Sequence, residues 1–197
     1  MIRNVSNYGL IISDMQNDKV LPGSPLRVVG ARATIPIILK ALNFFRTAKL
    51  PIFHIVREYR PDGSDIEVTR LSKFMEVNKG LVPGTSGCNI VDELRPLPGE
   101  YKIVKNRFSA FLNTELDFIL RRLNINELVV CGTEYPGCIR TTVFDGISYG
   151  YNVTVLTDAT SAKTQEIADA NIRDMQDYSV DCIETNVFLK ELKKSIS

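Results

Sequence analysis

No apolar run among the 197 residues is long enough to cross a bilayer: the longest, such as YGLIIS and ELVVCG, fall far below the roughly 18 to 20 residues a spanning helix needs. Charge of one sign is also missing. With 24 basic against 23 acidic residues and a formal charge of +1, there is no electrostatic reason to expect a nucleic acid or a membrane surface as partner. Small molecules and proteins remain. Cysteine is sparse (Cys88, Cys131, Cys138, Cys182), and the start of the chain does not combine a basic stretch, an apolar run and a small-residue cleavage site, so a cytoplasmic, reduced setting is expected. Cys131 and Cys138 stand seven positions apart, too wide for a CxxC redox or zinc pair. Neither repeats nor linkers interrupt the chain, and its length suits one domain, 1–197, with a large buried interior.

Short β-branched runs alternate with stretches of helical period. Strands are expected at 8–13, 51–56, 101–105, 127–132 and 151–157, and helical segments at 31–48, 88–95, 113–123, 138–149, 163–178 and 184–195. Such alternation marks a parallel sheet covered by helices. The strands are apolar on successive residues, which requires cover on both faces. The expected fold is therefore α/β, a doubly wound, Rossmann-like three-layer sandwich around a mostly parallel six-stranded sheet. From about Arg57 to Gly87 no clear period is visible, and a loop of that length in a compact domain is usually functional or carries a small helix. We read it as a lid or substrate loop with a short helix near 66–75.

Ligands of open parallel sheets sit beyond the carboxyl ends of the strands. Asp14 follows the first apolar run, Lys105 ends the third, and Cys138 lies in the turn after the fourth. Together these groups suit nucleophilic chemistry. A thiol is a poor nucleophile until deprotonated, and a cation and a helix N-terminus both favour the thiolate. Asp14 would accept the thiol proton, Lys105 would stabilise the sulfur anion, and the unpaired amides of the helix start would hold an oxyanion. Each residue also has an ordinary reading: a cysteine as a small buried hydrophobe, an aspartate as a turn residue, a lysine as a solvated strand end.

The segments IISDMQND, PGTSGCNIVDEL and the long stretch from Lys105 to Ala159 that carries CGTEYPGCIRTTVF resemble the isochorismatase-like cysteine hydrolases, in family order, over about residues 8 to 190. That family includes nicotinamidases, N-carbamoylsarcosine amidases and ureidoacrylate amidohydrolases. The resemblance implies a triad of Asp14, Lys105 and Cys138, a cis peptide between Thr133 and Glu134, and an oxyanion hole from the amides of Glu134 and Cys138. It also implies that Gln16 and Asn17 support the aspartate. Isochorismatases proper lack the cysteine, so Cys138 favours amide over vinyl-ether hydrolysis. Nicotinamidases of the family bind a metal through an aspartate and two histidines. This chain has one histidine, His54, inside the strand run PIFHIV, where a packed core residue is expected, so no metal site is expected.

The expected function is hydrolysis of a small amide or N-carbamoyl (ureido) compound through a thioester, with ammonia released and no cofactor. Gln16, Arg60, Phe108 and Tyr135 are expected in the substrate pocket. Of the loop charges Arg57, Arg60, Asp62 and Asp65, an arginine would hold a substrate carboxylate, or the four pair with each other in a solvated loop. The resemblance further implies a homodimer or homotetramer. Alternatives at this stage are a nicotinamidase, a non-catalytic small-molecule binding module on the same fold, and a redox protein using Cys131 and Cys138.

Overall fold

A computed structural model describes residues 5–24, 26–76 and 79–195. Its six strands are β1 (Tyr8–Ser13), β2 (Ile52–Arg57), β3 (Tyr101–Lys105), β4 (Glu127–Thr133), β5 (Asn152–Ser161) and β6 (Asp181–Ile183). They lie in the order β3-β2-β1-β4-β5-β6, and every neighbouring pair runs parallel. Seven α-helices accompany them among the described residues: α1 (Asn17–Val20), α2 (Ala31–Thr47), α3 (Val68–Glu76), α4 (Leu116–Arg122), α5 (Arg140–Ser148), α6 (Gln165–Asp177) and α7 (Thr185–Lys194). None is long and apolar enough to cross a membrane.

The layers follow from the alternation of side chains along each strand. Leu10 and Ile12 of β1 pack with Ile38, Leu42 and Phe45 of α2 and with Phe188 and Leu192 of α7. Ile11, between them, faces the opposite core with Phe53, Leu128 and Val130, against Leu116 and Leu120 of α4, Val143 of α5 and Met175 of α6. Buried apolar residues on both faces are what a parallel sheet requires. A third, small core of Tyr59, Ile66, Phe74, Leu81 and Val82 lies within the segment after β2. The 57–87 stretch therefore carries its own packing around α3, close to the short helix expected there. Residues 77 and 78 of that stretch lie outside the described residues.

One expected helix is absent. Residues 88–95 form two short 3-10 turns, Ser86–Cys88 and Asp92–Leu94, on either side of an extended piece. Asn17 N–H donates to Asn89 O at 2.8 Å, Val91 N–H to Met15 O at 3.0 Å, and Gln16 and Ile90 form an antiparallel bridge. Pairing with the chain that leaves β1 outweighs the helical period of so short a segment. Helix α4 starts at Leu116, later than its pattern suggests, because Asn113 has a φ of 57° and Thr114 Oγ1 accepts the Leu116 N–H. Strand β5 runs on to Ser161, past the expected 157, through a register shift opposite Val130 and Gly132.

Candidate active site

The strand order reverses between β1 and β4, the position where open α/β sheets bind ligands. Asp14 leaves β1 with a φ of 54°, a left-handed conformation that aspartate tolerates better than most residues. Its amide stays anchored to Ile55 O at 2.8 Å. The next-to-last residue of β4 is Gly132, whose φ is 111°. A Cβ there would stand 2.2 Å from Ser13 O, so only glycine lets β4 pass this close to the end of β1. The Thr133–Glu134 peptide is cis. A five-residue π turn, Tyr135–Ile139, then carries Cys138 into α5.

Asp14, Lys105 and Cys138 are brought together, each at most 2% exposed. Lys105 Nζ donates to Asp14 Oδ2 at 3.1 Å. Two further cations share the centre. Lys19, from the four-residue α1, donates to the same Asp14 oxygen at 2.8 Å and to Cys138 Sγ at 3.7 Å. Arg57, the last residue of β2, donates through Nη2 to Cys138 Sγ at 3.4 Å and to Arg107 O at 2.9 Å. Its other arm reaches Tyr59 Oη at 2.7 Å and Glu67 Oε1 at 3.2 Å.

One carboxylate thus faces three buried cations. Burial alone would raise the pKa of Asp14, yet Lys105, Lys19 and Arg57, with the Cys138 thiol, hold its carboxyl well below the usual carboxylate range. Asp14 Oδ1 makes no hydrogen bond of ordinary geometry, and Cys138 acts on the carboxylate at close range. For Lys105, burial outweighs the pull of Asp14 and Cys138 and lowers its pKa. Arg57 is held charged against its burial by Cys138, Asp14, Tyr59 and Glu67. Negative charge on the Cys138 sulfur would be met by two donors already in place, which is the setting a nucleophilic thiol needs.

Cys138 opens on a cavity of about 360 Å³ lined by Lys19, Arg57, Tyr59, Phe108 and Glu134. Of the expected pocket residues, Phe108 lies in this wall, its ring 4.8 Å from the Arg57 guanidinium. The other three do not. Arg60 is exposed beside Asp62 and lines a separate groove of about 470 Å³. Solvation suits it there, whereas Arg57 is aimed inward by its place on the strand. Tyr135 is wholly buried in the core with its hydroxyl donating to Thr157 O at 3.2 Å. Gln16 is consumed as a strut: Nε2 donates to Arg57 O and Cys88 O at 2.9 and 2.8 Å, and Oε1 accepts the Arg57 N–H at 2.8 Å. It holds the end of β2, and with it Arg57, in place.

All four thiols are free. Cys131 is buried with its sulfur on Ile11 O, and burial pushes that thiol far up. Burial also pushes Cys88 and Cys182 up to about 11. His54 is packed as expected, 1% exposed, with Nε2 2.8 Å from Glu100 Oε2. Among the described residues no group of three His, Cys, Asp or Glu side chains is placed to hold a metal.

The Isochorismatase domain model matches residues 8–187. A "Probable inactive nicotinamidase" of Arabidopsis thaliana is 39% identical, over 88% of this chain and 90% of that protein. A ureidoacrylate amidohydrolase of Pantoea ananatis is 32% identical, over 81% of this chain and 71% of its own. The crystal structure of an isochorismatase family protein from Desulfovibrio vulgaris superposes with a TM-score of 0.91 at 44% identity, covering 95% of this chain and 98% of that one.

Proposed function

The chain belongs to the isochorismatase family as one of its cysteine hydrolases, and from that premise we propose that it cleaves the C–N bond of a small amide or N-carbamoyl compound through a thioester at Cys138. The observation that carries this reading is the cluster itself: a buried thiol beside two cationic donors and a carboxylate, at the mouth of a ligand-sized cavity. In this mechanism the Cys138 sulfur attacks the carbonyl carbon. The oxygen that becomes negative is received by the amides of Glu134 and Cys138, at the cis turn. Asp14 carries the thiol proton to the nitrogen, the C–N bond breaks, and ammonia leaves. Water then attacks the thioester, releasing the acid or carbamic acid and restoring the thiol. Lys105 and Lys19 hold Asp14 in position, and Lys19 and Arg57 offset the charge on sulfur. The ureidoacrylate amidohydrolase relative supports the ureido class. One hydrolase domain over the whole chain, a homodimeric or homotetrameric assembly and a cytoplasmic setting belong to the same proposal.

The test is ammonia release in metal-free buffer from N-carbamoyl amino acids, ureidoacrylate and nicotinamide, by wild-type and Cys138→Ala protein. Release from a ureido or amide substrate that disappears in the variant is the expected outcome. Release that persists in Cys138→Ala would sink the thioester mechanism. A non-catalytic binding module is favoured by one observation, the likeness to the "Probable inactive nicotinamidase" of Arabidopsis thaliana, and silence across the panel with tight binding of a substrate would establish it.

A further inference from the structure

The cavity in front of Cys138 is far more positive than the molecule around it. Its wall holds Lys19, Arg27, Arg57, Arg70, Lys73 and Lys163 against one carboxylate, Glu134. Counted with Lys105 and with the Asp14 and Glu67 carboxylates that pair with these cations, seven cations less three anions leave an excess of four, whereas the whole chain sums to +1. Lys19 and Arg57 are engaged at the reacting centre. The other four stand on three separate parts of the chain. Arg70 and Lys73 share a face of α3 with Phe74, whose burial in the small core fixes that face toward the cavity. Arg27 precedes α2 and Lys163 follows β5.

Arg70 is ordered by its neighbours, donating to Tyr59 Oη at 3.1 Å and standing 3.8 Å from Glu67 Oε2, with the Phe108 ring 5.9 Å from its guanidinium. Among the described residues, no ion pair engages Arg27, Lys73 or Lys163. Cations converging on one cleft repel each other and concentrate anions there. The cavity volume of about 360 Å³ is at the small end of ligand sites. Only a small anion fits both facts.

We propose that the substrate is a small ureido- or amido-carboxylic acid whose carboxylate is held at the outer wall by Arg70 and Lys73, with Arg27 and Lys163 completing the field, while its carbonyl carbon reaches Cys138. Neutral amides lack the group this wall binds. The inference rests on the reading of Cys138 as the reactive group of that cavity and deepens it to a substrate class.

An experiment on the full chain needs no turnover. Cys138 is alkylated with iodoacetate and, separately, with iodoacetamide, and modification of its peptide is followed by mass spectrometry. Both reagents form the carbon–sulfur bond with loss of iodide, and they differ by the carboxylate. The expected iodoacetate-to-iodoacetamide rate ratio at Cys138 is at least about tenfold above that of glutathione in the same buffer. It falls toward the glutathione value in Lys73→Gln/Lys163→Gln protein, in Arg27→Gln protein, and in wild type as potassium chloride is added. These positions are exposed, and thermal melts confirm that the variants fold. A wild-type ratio no higher than that of glutathione, or one that all these variants leave unchanged, would overturn the proposal. A Cys138 inert to both reagents removes the nucleophile and the subsite together. An anionic preference in a protein that hydrolyses nothing keeps the subsite and removes only the amidohydrolase.

Discussion

Lys19 Nζ lies 2.8 Å from an Asp14 oxygen that Lys105 also binds, and 3.7 Å from the Cys138 sulfur. Its ammonium therefore acts on both the carboxylate and the nucleophile, where removing one preorganised donor commonly costs about 10²-fold in rate. Lys19→Gln is expected to lower kcat by roughly that factor with a smaller change in KM, and steady-state kinetics on the best substrate of the panel checks it. A KM effect alone would reduce Lys19 to a binding residue. Asp14, Lys105 and Cys138 were legible in the sequence because each ends an apolar run, directly follows one or lies in the turn after one. Lys19 was not, since a lysine six residues past a strand looks like any solvated lysine until the chain folds it inward. Arg57 and Arg60 are three positions apart, and the buried one is the last residue of β2 whereas the exposed one lies in the loop beyond it. Gln16 and Tyr135 sit beside the right motifs but spend their polar groups on backbone, which no spacing reveals.

The element that aims the site is the end of β4. Gly132 packs against the Ser13 backbone, with a hypothetical Cβ 2.2 Å from Ser13 O, and neither strand can retreat from a sheet paired on both sides. Gly132→Ala is expected to destabilise the protein by about 3 kcal/mol or more, through the clash and the positive φ together. Chemical denaturation measures the loss, and the alkylation rate of Cys138 in the folded fraction should fall with it. A variant of wild-type stability would show that the β1–β4 approach is adjustable. Strands and most helices were readable from period because burial on one or two faces writes itself into the pattern. The 88–95 segment was misread since its backbone pairs with Met15, Gln16 and Asn17, residues more than 70 positions away in the chain.

At the scale of the whole molecule, charge is drawn inward not only at the cation-rich site but also in a network on the far strands built around Glu100. Glu100 accepts from Arg46 at 2.6 and 3.0 Å and from Leu97 N–H at 2.9 Å, and its Oε2 lies 2.8 Å from His54 Nε2. It thereby ties α2, β2 and the approach to β3. Against burial, which would raise it, these partners bring its pKa from 4.5 down to about 2. A depressed carboxylate stabilises the fold above its unfolded pKa, and that stabilisation is lost as pH falls toward the folded value. Glu100→Gln is therefore expected to cost about 2 kcal/mol at neutral pH, with the gap to wild type closing between about pH 4.5 and pH 2. Urea melts across that range test it, and a gap independent of pH would show that the charge contributes nothing.

By itself the sequence determined the layered α/β architecture, the strand ends that bear Asp14, Lys105 and Cys138, and the family. Those are written in local apolar periodicity and in motifs a few residues long. Tertiary structure alone decided which cations surround the thiol, which arginine turns inward, and that α3, Arg27 and Lys163 together make one positive wall. These depend on strand register, on a crossing at Gly132 and on contacts between residues more than a hundred positions apart, and no local pattern carries that information.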